Sequence, residues 1–408
     1  MQPHSINQML KLPCGVTVKN RFFKSAMSES MADKNNNPTS KHRRLYLEWA
    51  KGGSAITVTG NVMVDRNALG EPKNVVLDEK SDLYAFKSWA EAGTKNNTEL
   101  WMQLNHPGKQ SPKMLSKHPV APSAVALSGG FSKFFNTPRA LEEDEIHRIV
   151  EQFKTSAKLA KEAGFRGIQI HAAHGYLISQ FLSPHDNRRN DAYGGSIENR
   201  MRFLIQVYQA IRNVVGKRFP IAIKINAEDF RKNGLTNDDS FKVIKRMASL
   251  GVDLIEVSGG NYETPVMSTG PTHEENSVFF LDFAKTLKAQ IEIPFVITGG
   301  FRTLETMENA IQSGETSMIG IARPLALYPD APNRFIAGKD DYITIRRLKT
   351  GLKTLDKRFG PIIGNTYYET QMQRIAKGKQ PKIHRNGWRP LIHTILTMGP
   401  SALRKRRS

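Results

Sequence analysis

The sequence predicts an α/β fold, a TIM-type (β/α)8 barrel with a basic, partly helical C-terminal extension. Three observations carry that reading. Eight short strand-like segments alternate with helical segments in chain order, which argues for a parallel sheet closed on itself. Every one of the eight delivers a polar residue, a glycine or a small residue at its C-terminal end, so one rim of the barrel would be a ligand-binding mouth. No Gly-rich dinucleotide turn follows the first strand, which sets aside the runner-up, an open doubly wound sheet. The 408 residues can hold a barrel of about 250 residues plus insertions.

The elements follow in order. Residues 16–25 read as the first strand, ending in SAMSES. Pro38 precedes a helix over 40–51, which Gly52 and Gly53 stop. Residues 54–59 are rich in β-branched side chains and read as strand two. Helical periodicity covers 79–96, and 99–104 is strand three. A long loop with several Pro and Gly, 105–139, has the length of a lid or substrate wall. A strong amphipathic helix at 142–163 leads into strand four, 167–171. Helices at 198–215, 237–250, 278–290 and 304–313 then alternate with strands at 221–226, 253–258, 295–298 and 316–321.

The stretch 167–202 is the most informative. Just past the end of strand four stand His171, His174 and Tyr176, three side chains with mobile protons. Two histidines at i and i+3 are also a metal-ligand spacing, but no third Cys, His or carboxylate stands close by at such a spacing. Gly299 and Gly300 after strand seven, with Ala322 and Arg323 after strand eight, fit the usual phosphate site of such barrels. Taken alone, the two glycines could equally be a tight turn. Ile223 and Ile225 flank Lys224, so its side chain faces away from theirs.

This pattern resembles the Old Yellow Enzyme family of FMN-dependent ene-reductases, over about residues 5–340. The resemblance implies an FMN cofactor, NADH or NADPH as reductant, and an electrophilic alkene as small-molecule substrate. It implies that Ser25, Ala26, Met27 and Ser28 line the ring, with Ser28 donating to O4. Gly60 would leave the ring room, Gln103 would pair with its pyrimidine edge, and Lys224 would face N1 and O2. His171 and His174 would polarise a carbonyl or nitro oxygen, and Tyr176 would protonate the α carbon. Two residues depart from the family's habit, which is Thr or Cys in place of Ser28 and more often Arg in place of Lys224. Ser keeps a hydrogen bond; Lys keeps the charge without the planar fork. Ser30 stands where one branch has a substrate-contacting tyrosine. Two other readings stand beside the ene-reductase: a flavin reductase or oxidase using oxygen or a quinone, and a flavin-binding protein that does not turn over.

Composition bounds the rest. Cys14 is the lone cysteine, which excludes a disulfide framework and a cysteine-ligated iron–sulfur cluster. No run of about 18 apolar residues appears, and the N-terminus lacks a secretory pattern, so a cytoplasmic location is expected. The formal net charge is +21, of which residues 339–408 carry +13. The body, 1–338, is therefore set apart from the extension, 339–408. Within the extension, helices are expected at 342–359 and 365–377, and residues 388–398 form an apolar segment flanked by arginines. Packing back on the barrel with a disordered basic end is the preferred reading; an interfacial anchor on an anionic membrane is the alternative. No specific nucleic-acid partner is expected, and homo-oligomerisation is left open.

Overall fold

The computed structural model describes residues 4–261, 263–264, 280–345 and 347–398. Eight strands form a closed, all-parallel barrel: β1 Phe22–Lys24, β2 Ile56–Met63, β3 Glu99–Asn105, β4 Gly167–Ala172, β5 Ile221–Asn226, β6 Leu254–Ser258, β7 Phe295–Thr298 and β8 Met318–Ile321. Each pairs with its sequence neighbour, and β8 closes on β1 through Ile319–Phe22 and Ile321–Lys24. Between them run α1 Ser40–Lys51, α2 Leu83–Gly93, α3 Glu143–Glu162, α4 Arg202–Val215, α5 Asn237–Ser249, α6 Leu281–Lys288 and α7 Leu304–Gln312. Two more follow, α8 Lys353–Ala376 and α9 Trp388–Met398.

The strands are apolar on both faces because parallel strands are covered on both. Ile168, Ile170, Ile223, Ile225, Ile255, Val257, Ile297 and Ile319 belong to the large core shared with the helices. The opposite face fills the cylinder. Its lower layers are Phe23, Ile56, Val58, Trp101, Ala222, Leu254, Val296 and Met318. A hairpin of Leu10–Lys11 on Thr17–Val18 adds Leu12 and Val18 to that cluster and stoppers the N-terminal end. Further along the same strands the interior turns polar. Ser25, Gln103, Gln169, His171, Lys224 and Glu256 are buried there, and Thr298 is half-buried.

Several boundaries differ from expectation for identifiable reasons. Residues 16–25 are two pieces: Thr17–Val18 belongs to the hairpin and only Phe22–Lys24 to the barrel. β2 continues past Gly60 to Met63, and its pairing with β3 shifts register between Val58 and Asn61, so Gly60 lies in a bulge within the strand. The helix expected from 79 begins at Leu83, because the Asp82 carboxylate accepts the amides of Tyr84 and Ala85. The helix expected over 278–290 is Leu281–Lys288; residues 278–279 lie outside the described residues. The long loop is anchored midway by Val120–Ala121 pairing with Arg139–Ala140.

The extension departs most. Two helices were expected and one, α8, is found, running through Gly360, Pro361 and Gly364, which had read as a break. The described residues from 342 to 352 are not helical; bridges Thr303–Tyr342 and Lys349–Asn386 pin them. α8 packs on α1 and on the short helix Arg323–Leu327. α9 packs back on α8, burying Leu391 beside Ile363 and pairing Thr394 with Thr366 at 2.8 Å. Trp388, Ile392 and Leu396 are left exposed. The basic residues from 399 onward lie outside the described residues. Among the described residues no helix is long and apolar enough to cross a membrane.

Candidate active site

The polar layer and the rim above it bring together most of the residues singled out from the sequence. The register explains how. His171, Lys224 and Glu256 are direct neighbours across β4, β5 and β6, and Gln103 is opposite Gln169 across β3 and β4. The side chains are wired to each other. Lys224 Nζ is 3.0 Å from Glu256 Oε1. Gln169 Nε2 donates to Glu256 Oε2 at 2.7 Å, and Gln103 Nε2 donates to Gln169 Oε1 at 2.7 Å. Thr298 Oγ1 donates to Glu256 Oε1 at 2.8 Å and lies 2.8 Å from Ser25 Oγ. Lys224 therefore points into the barrel rather than to solvent.

The rim trio is compact. The His171 ring lies 5.1 Å from that of His174 and 4.8 Å from that of Tyr176, edge-on in both cases. His174 takes a left-handed backbone conformation, φ 61°, and its N–H donates to Asn226 Oδ1 at 3.1 Å. Burial, reinforced by the charge of Lys224, holds both imidazoles well below their usual pKa, so both are neutral at pH 7. Nδ1 of His171 accepts the Ala173 amide at 3.3 Å, which leaves its proton on Nε2. His174 Nε2 is 2.7 Å from Ser258 Oγ.

Across the mouth, Gly299 and Gly300 both have positive φ, 99° and 87°, a pair of conformations that side chains resist. A Cβ on Gly299 would meet nothing within 4 Å, so it is the backbone conformation that calls for glycine there. Arg323 opens its short helix just beyond Ala322. Arg302 comes close enough that burial and the Arg323 charge lower its pKa to about 10. Two guanidiniums gathered beside a glycine turn suit a phosphate dianion. Tyr368 of α8 is buried near them, within reach of both charges.

Ser28 has protein partners of its own. Its hydroxyl donates to Glu71, which also accepts from Asn74 Nδ2 at 3.0 Å. Glu369 of α8 reaches the same hydroxyl; burial and the charge of Glu71 raise its pKa to about 8. Gly60 packs against the carbonyl of Met27, where a Cβ would come within 2.7 Å. Its N–H is taken by the Tyr46 hydroxyl and Glu29. The sequence reading missed Glu256, Gln169, Thr298, Glu71, Tyr368 and Glu369. For the first two a signal exists: β4, β5 and β6 each carry one polar residue two places before a polar strand end, Gln169, Lys224 and Glu256.

One cluster beside the mouth resembles a metal site in its donors alone. His185, Asp186 and Glu263 bring ligand atoms within 4.8 Å of one another. Cations of the chain already hold those carboxylates: Lys109 Nζ is 2.6 Å from Asp186, and Arg231 pairs with both Asp186 and Glu263. The cluster ties the loops after β3, β4, β5 and β6 together.

A closed parallel barrel with a charged, hydrogen-bonded mouth and two neighbouring arginines beside a glycine turn has the chemistry to hold a phosphate-bearing cofactor. The model of the NADH:flavin oxidoreductase / NADH oxidase family matches residues 10–341, and the chain belongs to that family, the Old Yellow Enzyme family. An NADH-dependent flavin oxidoreductase, iliE of Hypocrea jecorina, is 39% identical over 349 residues, covering 79% of this chain and 86% of that protein. A cinnamate reductase of Clostridium sporogenes is 29% identical over 351 residues, covering 80% of this chain and 52% of that protein. The solved old yellow enzyme homologue of Zymomonas mobilis superposes with a TM-score of 0.71 at 25% identity, covering 84% of this chain and 97% of that one. The protein is thus an oxidoreductase that uses FMN with NADH or NADPH.

Proposed function

We propose that the protein reduces the C=C bond of alkenes conjugated to a carbonyl or nitro group. The observation that carries this is the rim trio: two neutral imidazoles and one phenol, the His171 ring in contact with both others, beside the buried Lys224. FMN, when bound, supplies the hydride for the β carbon. His171 and His174 donate N–H to the substrate oxygen, drawing electrons from the double bond, and Tyr176 gives a proton to the α carbon. Lys224 would hold positive charge toward the N1 and O2 edge of the ring, and Gln103 would pair with the pyrimidine. Gly299, Gly300, Ala322 and Arg323 seat the phosphate. Ser25, Ala26, Met27 and Gly60 would form the wall behind the ring. Ser28 would be free to donate to O4 only when its hydroxyl is not given to Glu71. The relative named as a cinnamate reductase supports the substrate class.

The test compares steady-state NADH and NADPH oxidation with 2-cyclohexen-1-one against oxygen as acceptor. Replacing both His171 and His174 with Ala should reduce alkene turnover by about 100-fold or more and leave oxygen consumption largely intact. Equal turnover of 2-cyclohexen-1-one by the double variant would overturn the assignment. Turnover with oxygen or a quinone alone would make the protein a flavin oxidase or reductase.

A further inference from the structure

Glu256 is the residue on which the polar layer converges. It is fully buried at the centre of β6 and three side chains are attached to it: Lys224, Gln169 and Thr298. An ionised carboxylate accepts hydrogen bonds and cannot donate them. That restriction propagates outward. Gln169 must turn its NH2 toward Glu256, which leaves its carbonyl oxygen facing Gln103. Gln103 must then spend one N–H on Gln169. What remains on Gln103 is a carbonyl oxygen and one N–H, side by side.

That remainder matches one edge of one ring system. The pyrimidine edge of a flavin presents an N3–H donor flanked by two carbonyl oxygens. An amide offering oxygen and N–H in parallel pairs with it, whereas an amide turned over would set N–H against N3–H. The same carboxylate also sits 3.0 Å from the ammonium of Lys224 and tempers its charge.

We propose that Glu256 is the positioning residue of the flavin site, fixing the orientation of the Gln103 amide through Gln169 and setting, through Lys224, how strongly the reduced ring is stabilised. The inference rests on the ring placement proposed above. Its two halves have separate signatures. Replacing Glu256 with Gln removes the one-way constraint and leaves the Lys224 charge uncompensated. Replacing Gln169 with Leu cuts the relay and leaves the ion pair intact.

The experiment measures the dissociation constant of FMN by fluorescence quenching, and the midpoint potential of the bound flavin, on full-length protein. Glu256→Gln should weaken FMN binding about 10-fold, the effect of one misdirected hydrogen bond in a buried site. It should also move the midpoint potential positive, because an unbalanced lysine favours the anionic reduced flavin. Gln169→Leu should weaken binding to a similar degree with the potential nearly unchanged, and it tests the relay even if Glu256→Gln fails to fold. Lys224→Met is the control for ring placement. If Lys224→Met lowers the potential while Glu256→Gln and Gln169→Leu bind FMN like the parent, the proposal for Glu256 fails and the placement stands. If Lys224→Met also changes neither quantity, the placement itself fails.

Discussion

The two ends of the barrel interior are built from the same eight strands and obey opposite rules. The lower end is a dry plug: Phe23, Ile56, Val58, Trp101, Leu254, Val296 and Met318, fully buried and held by shape alone. The upper end, a few residues along, holds Lys224 and Glu256 with amides and hydroxyls around them, all mutually bonded. Burying those charges costs stability that burying valines would not. The lower end shows what the fold needs; the upper end shows what it carries at a cost. Mutations at the two ends should therefore fail in different ways.

The largest effect is expected at the bottom. The Trp101 ring lies against Gly167, where a Cβ would come within 2.5 Å, and edge-on to Phe23 at 6.4 Å. Trp101→Ala should lower the unfolding free energy by about 3–5 kcal/mol in urea titration. Flavin affinity of the fraction still folded should be unchanged. A loss of affinity without a loss of stability would erase the distinction between the two ends.

The next effect belongs to the mouth. Burial pushes the Asp186 carboxyl up, but the His185 hydrogen bond and the charges of Lys109 and Arg231 outweigh it and hold the group well below the usual carboxylate range. With the folded pKa depressed, this stabilisation is present above the unfolded value near 4 and is lost as pH falls below it. Asp186→Asn should destabilise the protein by about 3 kcal/mol at pH 7. The gap to the parent should narrow steadily as pH falls below about 4 in acid-unfolding curves. A pH-independent gap would mean that the carboxylate charge is not what holds the loops.

The smallest effect concerns Glu29, buried beside Tyr46 and Gly60. Burial raises its pKa to about 7, partly offset by the Lys24 charge. A raised folded pKa makes its contribution to stability complete below about pH 4.5 and lost as pH climbs through about 7. Glu29→Gln should thus match the parent near pH 4.5 and gain on it, by on the order of 1 kcal/mol, toward pH 8. Parallel melting curves across that range would show Glu29 ionised throughout.

The lower end was the easier to read from sequence. Apolar strands alternating with amphipathic helices announce a barrel because both faces of a parallel strand are covered, and seven of the eight strands lie within a few residues of their expected places. The exception is instructive. Residues 16–25 read as one strand, yet the polar stretch Lys19–Arg21, with Asn20 donating to the Gly53 carbonyl, separates a stopper from a strand. The rim histidines and Tyr176 were legible because short-range spacing brings them together. Glu256 was not, since a single acid in LIEVS reads as a solvent-facing residue until the register sets it against Lys224. Tyr368 and Glu369 were further out of reach, because they depend on α8 running unbroken through a proline and two glycines.

The hairpin that caps the cylinder has a kinetic consequence. With Leu12 and Val18 packed against the apolar layer, the cylinder is closed at that end, and the buried charges lie toward the opposite rim. If the nicotinamide and the alkene proposed above both use that rim, the first must leave before the second arrives. Initial-rate plots at several fixed concentrations of one against the other should then run as parallel lines, and each should inhibit by crowding out its counterpart when in excess.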